Sequence, residues 1–396
     1  MAQQDPVVIT GNARTPIGNF LGAFKDVKAT ALGANAIEGA LEKSNVKASD
    51  VDEVLMGCVL PAGLGQAPAR QASIGAGIPK SAGCTTVNKM CGSGMKAVML
   101  GHDAILAGAN DIIVAGGMES MTGAPHILPT GRTGIKYGAG KVFDHMAIDG
   151  LEDAFEPGRA MGVFAEKCAR EWQFSRDTQD EFSMRSVTRA QTAIKNGSFK
   201  NEIVSVNVSS RKGTVTVADD EKPGLVDADK IPNLRAAFEK DGTVTAGNAS
   251  AISDGAAAMV LMRQSLAEKK GAHIAARILA HSTHAQDPEW FTTAPVASIH
   301  TVLEKAGWSI NDVDLFEINE AFSVVPLAAM REHKLPAEKV NIYGGAIALG
   351  HPIGGSGARI ICTLINALQQ TGGKKGVASL CIGGGEATSI ALELVV

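Results

Sequence analysis

Aromatic side chains are scarce in this chain, at 4% of 396 residues. Glycine is abundant instead, with 45 residues, which points to tight turns and close backbone packing. There is no excess of positive charge. The formal net charge of −4 argues against a general nucleic-acid binder, so an anionic ligand must be held by a local cation cluster or by helix N-termini. The six cysteines (58, 84, 91, 168, 362 and 381) form no CxxC pair and no zinc-type spacing, so no metal site is expected from them. No apolar run approaches the length of a membrane span, and no membrane partner is expected. The start, Met-Ala-Gln-Gln-Asp-Pro, is not an Arg-rich transit segment, and Glu-Leu-Val-Val is no peroxisomal ending. Reduced thiols in a cytoplasmic protein are therefore the expectation.

What is present is an alternation. Val7–Thr10 reads as a strand, 30–44 as a helix, Val51–Val59 as a strand and Ala67–Ala76 as a helix. Thr85–Val87 reads as a strand running into a helix that begins after Cys91, and Asp111–Ala115 as a short strand closing on Gly116-Gly117. The class is α/β, and the alternation predicts a largely parallel sheet. A long repeat overlies this. Ile37–Lys43 with Asp50-Val51-Asp52 returns as Ile299–Lys305 with Asp312-Val313-Asp314, 262 residues on. Gly92-Ser93-Gly94 returns as Gly355-Ser356-Gly357, 263 on, and Gly116-Gly117-Met118-Glu119 as Gly383-Gly384-Gly385-Glu386, 267 on. Ordered recurrence of this kind marks two copies of one unit.

The boundaries follow. Residues 1–120 with 252–271 form the first half, 121–251 an insert, and 272–396 the second half. The insert holds a helical stretch of roughly 160–196, an alternating pair Val204–Val208 and Thr214–Val217, and a charged loop. Arg211, Lys212, Lys222 and Lys230 make it locally basic, either as a solvated surface or as a receiver of a phosphorylated ligand.

Cys91 sits where a strand gives way to a helix, beside Gly-Ser-Gly. A helix N-terminus favours the thiolate, the form that attacks carbonyls; a buried structural cysteine is the competing reading. Gly92-Ser-Gly-Met-Lys-Ala97 also satisfies a dinucleotide-binding pattern, so a dehydrogenase stays open. In a duplicated α/β chain, loops beyond the strand ends of both copies can meet in one site. The second copy offers Asn319-Glu320-Ala321-Phe322, Gly350-His351-Pro352 and Cys381-Ile-Gly383.

Six stretches carry a resemblance along nearly the full chain. They are Asn88-Lys-Met-Cys-Gly-Ser-Gly-Met95, Val114-Ala-Gly-Gly-Met-Glu-Ser-Met121, Thr245–Ala258, Asn319-Glu-Ala-Phe322, Gly344–Gly354 and Cys381-Ile-Gly-Gly-Gly385. In these the chain resembles the thiolases, in their acetyl-CoA acetyltransferase branch. The resemblance implies a duplicated α/β/α/β/α core of two similar halves with a loop domain inserted in the first. It implies reversible Claisen condensation of two acetyl-CoA to acetoacetyl-CoA and CoA through an acetyl-cysteine. Cys91 matches the acyl carrier, His351 the activating base, and Cys381 the base at the α-carbon. His351 with an Asn319-held water, and the N–H groups of Cys91 and Gly383, match the two oxyanion holes. Leu151, Met161, Phe238, Ala246 and Ser250 match the coenzyme A path, with Ala321 and Phe322 near the thioester. Lys222 is the substitute for a nucleotide-contacting arginine. Arg159-Ala160 stands where related short-chain enzymes place a histidine before the methionine. The resemblance implies no tightly bound cofactor and a homodimer or homotetramer. A degradative 3-ketoacyl-CoA thiolase of broader chain length is the alternative, and a ketoacyl synthase, which would carry a histidine at Asn319, a lesser one.

Overall fold

Strand and helix alternate in both halves of the computed structural model, which describes residues 5–211 and 213–395. Lys212 of the basic group lies outside them. The first half contains β1 (Val7–Arg14), α1 (Ala29–Ser44), β2 (Glu53–Gly57), α2 (Pro68–Gly75), β3 (Gly83–Val87), α3 (Ser93–Leu106) and β4 (Ile112–Ser120). The insert contributes α4 (Met161–Glu171) and α5 (Arg176–Asn196), and β5 (Ser253–Arg263) returns to the core. The second half contains β6 (Ala276–Ala285), α6 (Ala294–Ala306), β7 (Leu315–Ile318), α7 (Val324–His333), α8 (Ile353–Thr371), β8 (Lys375–Ile382) and β9 (Glu386–Leu394).

The main sheet runs β7-β8-β9-β6-β1-β5-β4-β2-β3. Read outward from its centre, both halves give the same order: first β1-β5-β4-β2, then β6-β9-β8-β7. Among the described residues, the strands of the two halves pair where Val8 faces Arg277 and Ile9 faces Ala276. The outer edge strand β3 has a reduced counterpart in the second half, the parallel bridge of Val340 to Phe316.

The sheet is mixed, which corrects the largely parallel expectation. Parallel pairing is confined to β2–β3, β2–β4 and β7–β8. The pairs β4–β5, β5–β1, β1–β6, β6–β9 and β9–β8 are antiparallel. A turn as short as Gly383–Gly385 joins β8 to β9, and so short a link permits only antiparallel neighbours.

Apolar residues sort into layers. Leu32, Ala36 and Ile37 of α1 pack with Val54, Val114 and Val260 on one outer face. Ile299, Val302 and Val325 pack with Phe316, Ile318 and Val377 on the other. Between the half-sheets lie α3 and α8, where Met95, Val98, Ile360 and Leu364 meet Ile113, Leu261, Leu380 and Ile390. Every α8 residue from Ile353 to Leu368 is buried, as a helix enclosed on all sides must be.

Two local expectations change. The 160–196 helix is two helices; Gln173 takes a left-handed φ of +52° and the Ser175 side chain caps α5 by accepting from Thr178 N–H. Strand β4 does not stop at Gly116-Gly117 but runs through it to Ser120. Those glycines answer close approach rather than a turn: a Cβ at Gly116 would strike the Ala257 carbonyl, and one at Gly117 that of Gly354. The third repeat landmark therefore does not superpose. Ile113 faces Glu53 as Gly376 faces Leu315, which makes Gly116 the counterpart of Ser379 and leaves Gly383 in the following turn.

The insert is pinned to the core by Arg14, wholly buried at the end of β1. Its guanidinium pairs with Asp220 at 2.7 and 2.8 Å and with Glu202, while its backbone bonds Glu202 and Val204. Glu202 in turn accepts from Thr363 and Asn366 of α8. Replacing Arg14 with Met strands two buried carboxylates, and breaking a buried pair from one side costs about 3–5 kcal/mol. Arg14→Met is expected to lose stability on that scale in urea unfolding, whereas Lys25→Met, at an exposed pair, should stay within about 1 kcal/mol.

Candidate active site

The Cys91 turn is built between β3 and α3. Asn88 Oδ1 accepts from Met90 N–H, Ser93 Oγ accepts from Lys89 N–H and donates to the Met90 carbonyl, and Met90 takes a left-handed φ of +46°. For a residue with a long side chain that conformation is sparsely populated and held by its surroundings. The result aims Cys91 at the junction of the halves. Its sulfur is approached by its own N–H and by that of Gly383.

The second half contributes through α8. His351 precedes this helix and is buried. Its Nδ1 lies 2.5 Å from Ser356 Oγ, and that hydroxyl donates to the Pro352 carbonyl at 2.9 Å. The hydroxyl therefore accepts from Nδ1–H, which leaves a lone pair on Nε2. Asn319, just beyond β7, sets its Nδ2 at 3.4 Å from Nε2 and its Oδ1 at 3.5 Å from the Arg359 guanidinium. Arg359 is buried and pairs with Glu317 at 3.7 Å. It thus fixes which end of the Asn319 amide faces the imidazole.

Cys381 ends β8, fully buried. The adjacent Ile382 lies against Gly92, where a Cβ would collide with its side chain. Ile353 shares an apolar cluster with Met90, Cys91, Met146, Leu151 and Ile252. The strand-end loops of Cys91, Asn319, His351 and Cys381 thus converge on one place. Beneath them Glu119, from β4, accepts from the N–H groups of Val59, Leu60 and Gly354 and so ties both halves together. Lys89 and Glu386 form an ion pair across the same junction.

Burial governs the charges. The Cys91 thiol is pushed up to about 11, desolvation outweighing the two N–H groups that stabilise its anion. This corrects the expectation of a thiolate favoured by the helix start. Helix α3 begins at Ser93, two residues on, and the half-buried Cys91 is packed among apolar side chains instead. The Cys381 thiol is raised further by burial, with a contribution from Cys91 that places the two sulfurs in electrostatic range. Burial holds His351 down to about 3. At neutral pH the unliganded site contains two thiols and a neutral imidazole whose Nε2 is unprotonated. Such a set can exchange thioesters and move protons at a carbon next to a carbonyl.

Of the residues expected along the ligand path, Met161 places its sulfur beside Gly383, Ser250 N–H donates to the Ala321 carbonyl at 2.9 Å, and Phe322 rings with Phe238 at 6.0 Å. Leu151 belongs to the Cys91 cluster. Ala246 and Lys222 line a separate cavity of about 240 Å³ with Leu225, Ile231, Leu234 and Ile347. The Lys222 ammonium donates to the Ile347 carbonyl at 2.6 Å, and burial lowers it to about 8. That bond commits one of the three ammonium N–H donors and holds the side chain in the cavity wall. Arg159 lies over the Phe164 ring at 4.4 Å and pairs with Glu156.

The dinucleotide reading fails on packing. A Cβ at Gly94 would lie 2.9 Å from the Gly354 carbonyl and 3.0 Å from the Ala358 nitrogen. The glycines admit a second helix, leaving no room for a pyrophosphate.

Comparison with known proteins agrees with this geometry. Residues 7–265 match the family described as thiolase, N-terminal domain, and residues 272–394 that described as thiolase, C-terminal domain. The chain belongs to the thiolase family. An acetyl-CoA acetyltransferase of Schizosaccharomyces pombe is 49% identical over 391 residues, covering 98% of this chain and 99% of the relative. Acetyl-CoA acetyltransferase 1 of Arabidopsis thaliana is 48% identical over 396 residues, covering 99% and 95%. The crystal structure of the Bacillus anthracis acetyl-CoA acetyltransferase superposes on this thiolase with a TM-score of 0.96 at 39% identity, covering 100% of both chains.

Sequence reasoning missed the residues that hold this thiolase's site together. Ser93 and Ser356 occupy the same place in the repeated Gly-Ser-Gly, and each hydroxyl locks the functional loop of its own half; the repeat itself was the available signal. Nothing local marked Arg359 or the three-amide grip of Glu119.

A pH dependence follows from His351. Its folded pKa of about 3 lies below the usual imidazole value of 6.5. Between those values the unfolded chain binds the extra proton, so stability rises with pH across the window and is lost as pH falls through it. Buried Glu119 and Glu317, raised to about 7 and about 8, contribute with the opposite sign, so the readout is a difference: the denaturant-midpoint advantage of wild type over His351→Asn should grow from pH 4 to 7.

Proposed function

We propose that this thiolase is an acetyl-CoA C-acetyltransferase, joining two acetyl-CoA into acetoacetyl-CoA and CoA reversibly. The observation that carries the chemistry is the meeting of two thiols, one unprotonated imidazole nitrogen and two converging N–H groups at a single junction. Relatives bearing that activity in their names match essentially the whole chain.

Cys91 attacks the acetyl thioester while His351 Nε2 takes its proton, and the N–H groups of Cys91 and Gly383 receive the oxyanion. The departing CoA sulfur takes the Cys381 proton. That transfer suits a thiol neutral at rest, and it leaves the thiolate needed next. A second acetyl-CoA loses an α-proton to Cys381, its enolate oxygen held by His351 and a water on Asn319. The carbanion attacks acetyl-Cys91, and the released sulfur recovers its proton from His351. In the cleavage direction the same steps run backward. Coenzyme A lies along Leu151, Met161, Phe238, Ala246 and Ser250, with Ala321 and Phe322 beside the thioester.

The finer readings rest on physical support of their own. CoA thioesters serve as substrates with no further cofactor, because every proton has a donor and an acceptor among these side chains. The core comprises 1–120 with 252–271 and 272–396, around an insert at 121–251. A cytoplasmic setting suits six cysteines that are all free, and no helix among the described residues is long and apolar enough to cross a membrane. A homodimer, paired into a homotetramer through the insert, suits β3, an uncharged strand at the sheet edge. It also suits the exposed Leu128, Ile135, Tyr137 and Val142 of the insert.

Thiolysis of 3-ketoacyl-CoAs of increasing length tests the assignment. Acetoacetyl-CoA is expected to give the highest kcat/KM; equal or better turnover of long chains would make this a degradative thiolase. Arg159-Ala160 is the departure that bears on that choice. A second test separates the cysteines. Cys381→Ala should still show acetyl-Cys91 by mass spectrometry after acetyl-CoA, yet lose about 10²- to 10⁴-fold or more in acetoacetyl-CoA cleavage, the usual range for a proton-transfer group. Near wild-type cleavage would reduce Cys381 to a packing residue.

A further inference from the structure

Away from the active site, one cluster of ligating side chains bridges the two halves. His102 and Asp103 lie on α3, and His281 lies on β6 of the second half. Asp103 Oδ1 is 3.0 Å from His102 Nδ1 and 2.8 Å from His281 Nε2. One ligand atom from each residue lies within 4.8 Å of the others. The imidazole rings stand edge to face, at 90° and 5.1 Å between centroids. His102 is buried, His281 half-buried, and the Asp103 side chain is 51% exposed, so the cluster is walled on one side and open to water on the other.

We propose that His102, Asp103 and His281 form a divalent-metal site that takes Zn²⁺ or a similar borderline ion and clasps the first half to the second. Two imidazoles and one carboxylate with an open position for water make a donor set suited to such ions. Ligands about 2.0–2.1 Å from a tetrahedral ion stand roughly 3.3 Å apart. The two separations to Asp103, 3.0 and 2.8 Å, need only a few tenths of an ångström of adjustment, and the two imidazole nitrogens lie within 4.8 Å of each other. The nearby cation, Lys305, is held by the His281 carbonyl at 3.1 Å. At 1.5 Å rise per residue, His102 lies roughly 14 Å along α3 from Ser93, well away from the Cys91 chemistry. The competing account is a carboxylate merely accepting two N–H bonds, with no affinity for metal.

Cobalt separates the two. Co²⁺ added to the intact protein should produce visible d–d bands that saturate at one equivalent, without the near-ultraviolet charge-transfer band of a cobalt thiolate. Zn²⁺ should displace it and raise the Tm. His281→Asn and, as the milder change at a half-exposed position, Asp103→Asn should each weaken binding by more than the roughly 10- to 100-fold that loss of an outer hydrogen-bond partner brings. Cys91→Ala should leave the bands intact. No saturable bands in the wild type would overturn the site. So would bands carrying thiolate charge transfer, or bands unchanged in both Asp103→Asn and His281→Asn.

Discussion

The constraint on which the structure depends is the crossing of α3 and α8 at their N-terminal ends. A Cβ at Gly357 would lie 2.5 Å from the Met95 nitrogen, and one at Gly94 would meet the Gly354 carbonyl. Only backbone against backbone fits there. Because a functional loop precedes each helix, closing this crossing brings Cys91 and His351 to the same junction. The site is a product of helix packing, and the chemistry inherits its precision from the absence of two methyl groups.

The same dense packing sets the electrostatics. Layers on both sides of α3 and α8 desolvate the site, so the thiols rest protonated and the imidazole rests neutral. The reacting groups of a site poised in this way carry no charge until a thioester arrives. Charge then develops next to N–H groups already aimed at it, whose orientation costs nothing further at that moment. Stored charge would instead have to be stabilised in the unliganded protein, in a place where burial penalises it.

Duplication explains why neighbouring residues do dissimilar work on similar scaffolds. Ser93 and Ser356 make equivalent hydrogen bonds, one to the Cys91 turn and one to the imidazole loop. Around them the copies have diverged. The first keeps an edge strand and houses the insert pinned by Arg14; the second keeps Asn319, His351 and Cys381. Glu119 and the pair of Lys89 with Glu386 span the seam between copies. The site is stiff because its partners belong to one folded unit.

Much was legible in the chain alone. Period and repeat gave the α/β class and the two halves, since amphipathic spacing and ordered recurrence are properties of the linear sequence. The Cys91, Asn319, His351 and Cys381 stretches were identifiable because their residue types are rare and chemically capable. Sheet direction was not legible, because pairing partners are chosen across space and only the short Gly383–Gly385 link hinted at it. Gly116-Gly117 read as a turn because glycine looks the same whether it permits a bend or admits a neighbouring backbone. The protonation of Cys91 was misjudged for a related reason. A helix start is a local feature, but desolvation depends on everything packed around the sulfur, and only the folded layers decide that.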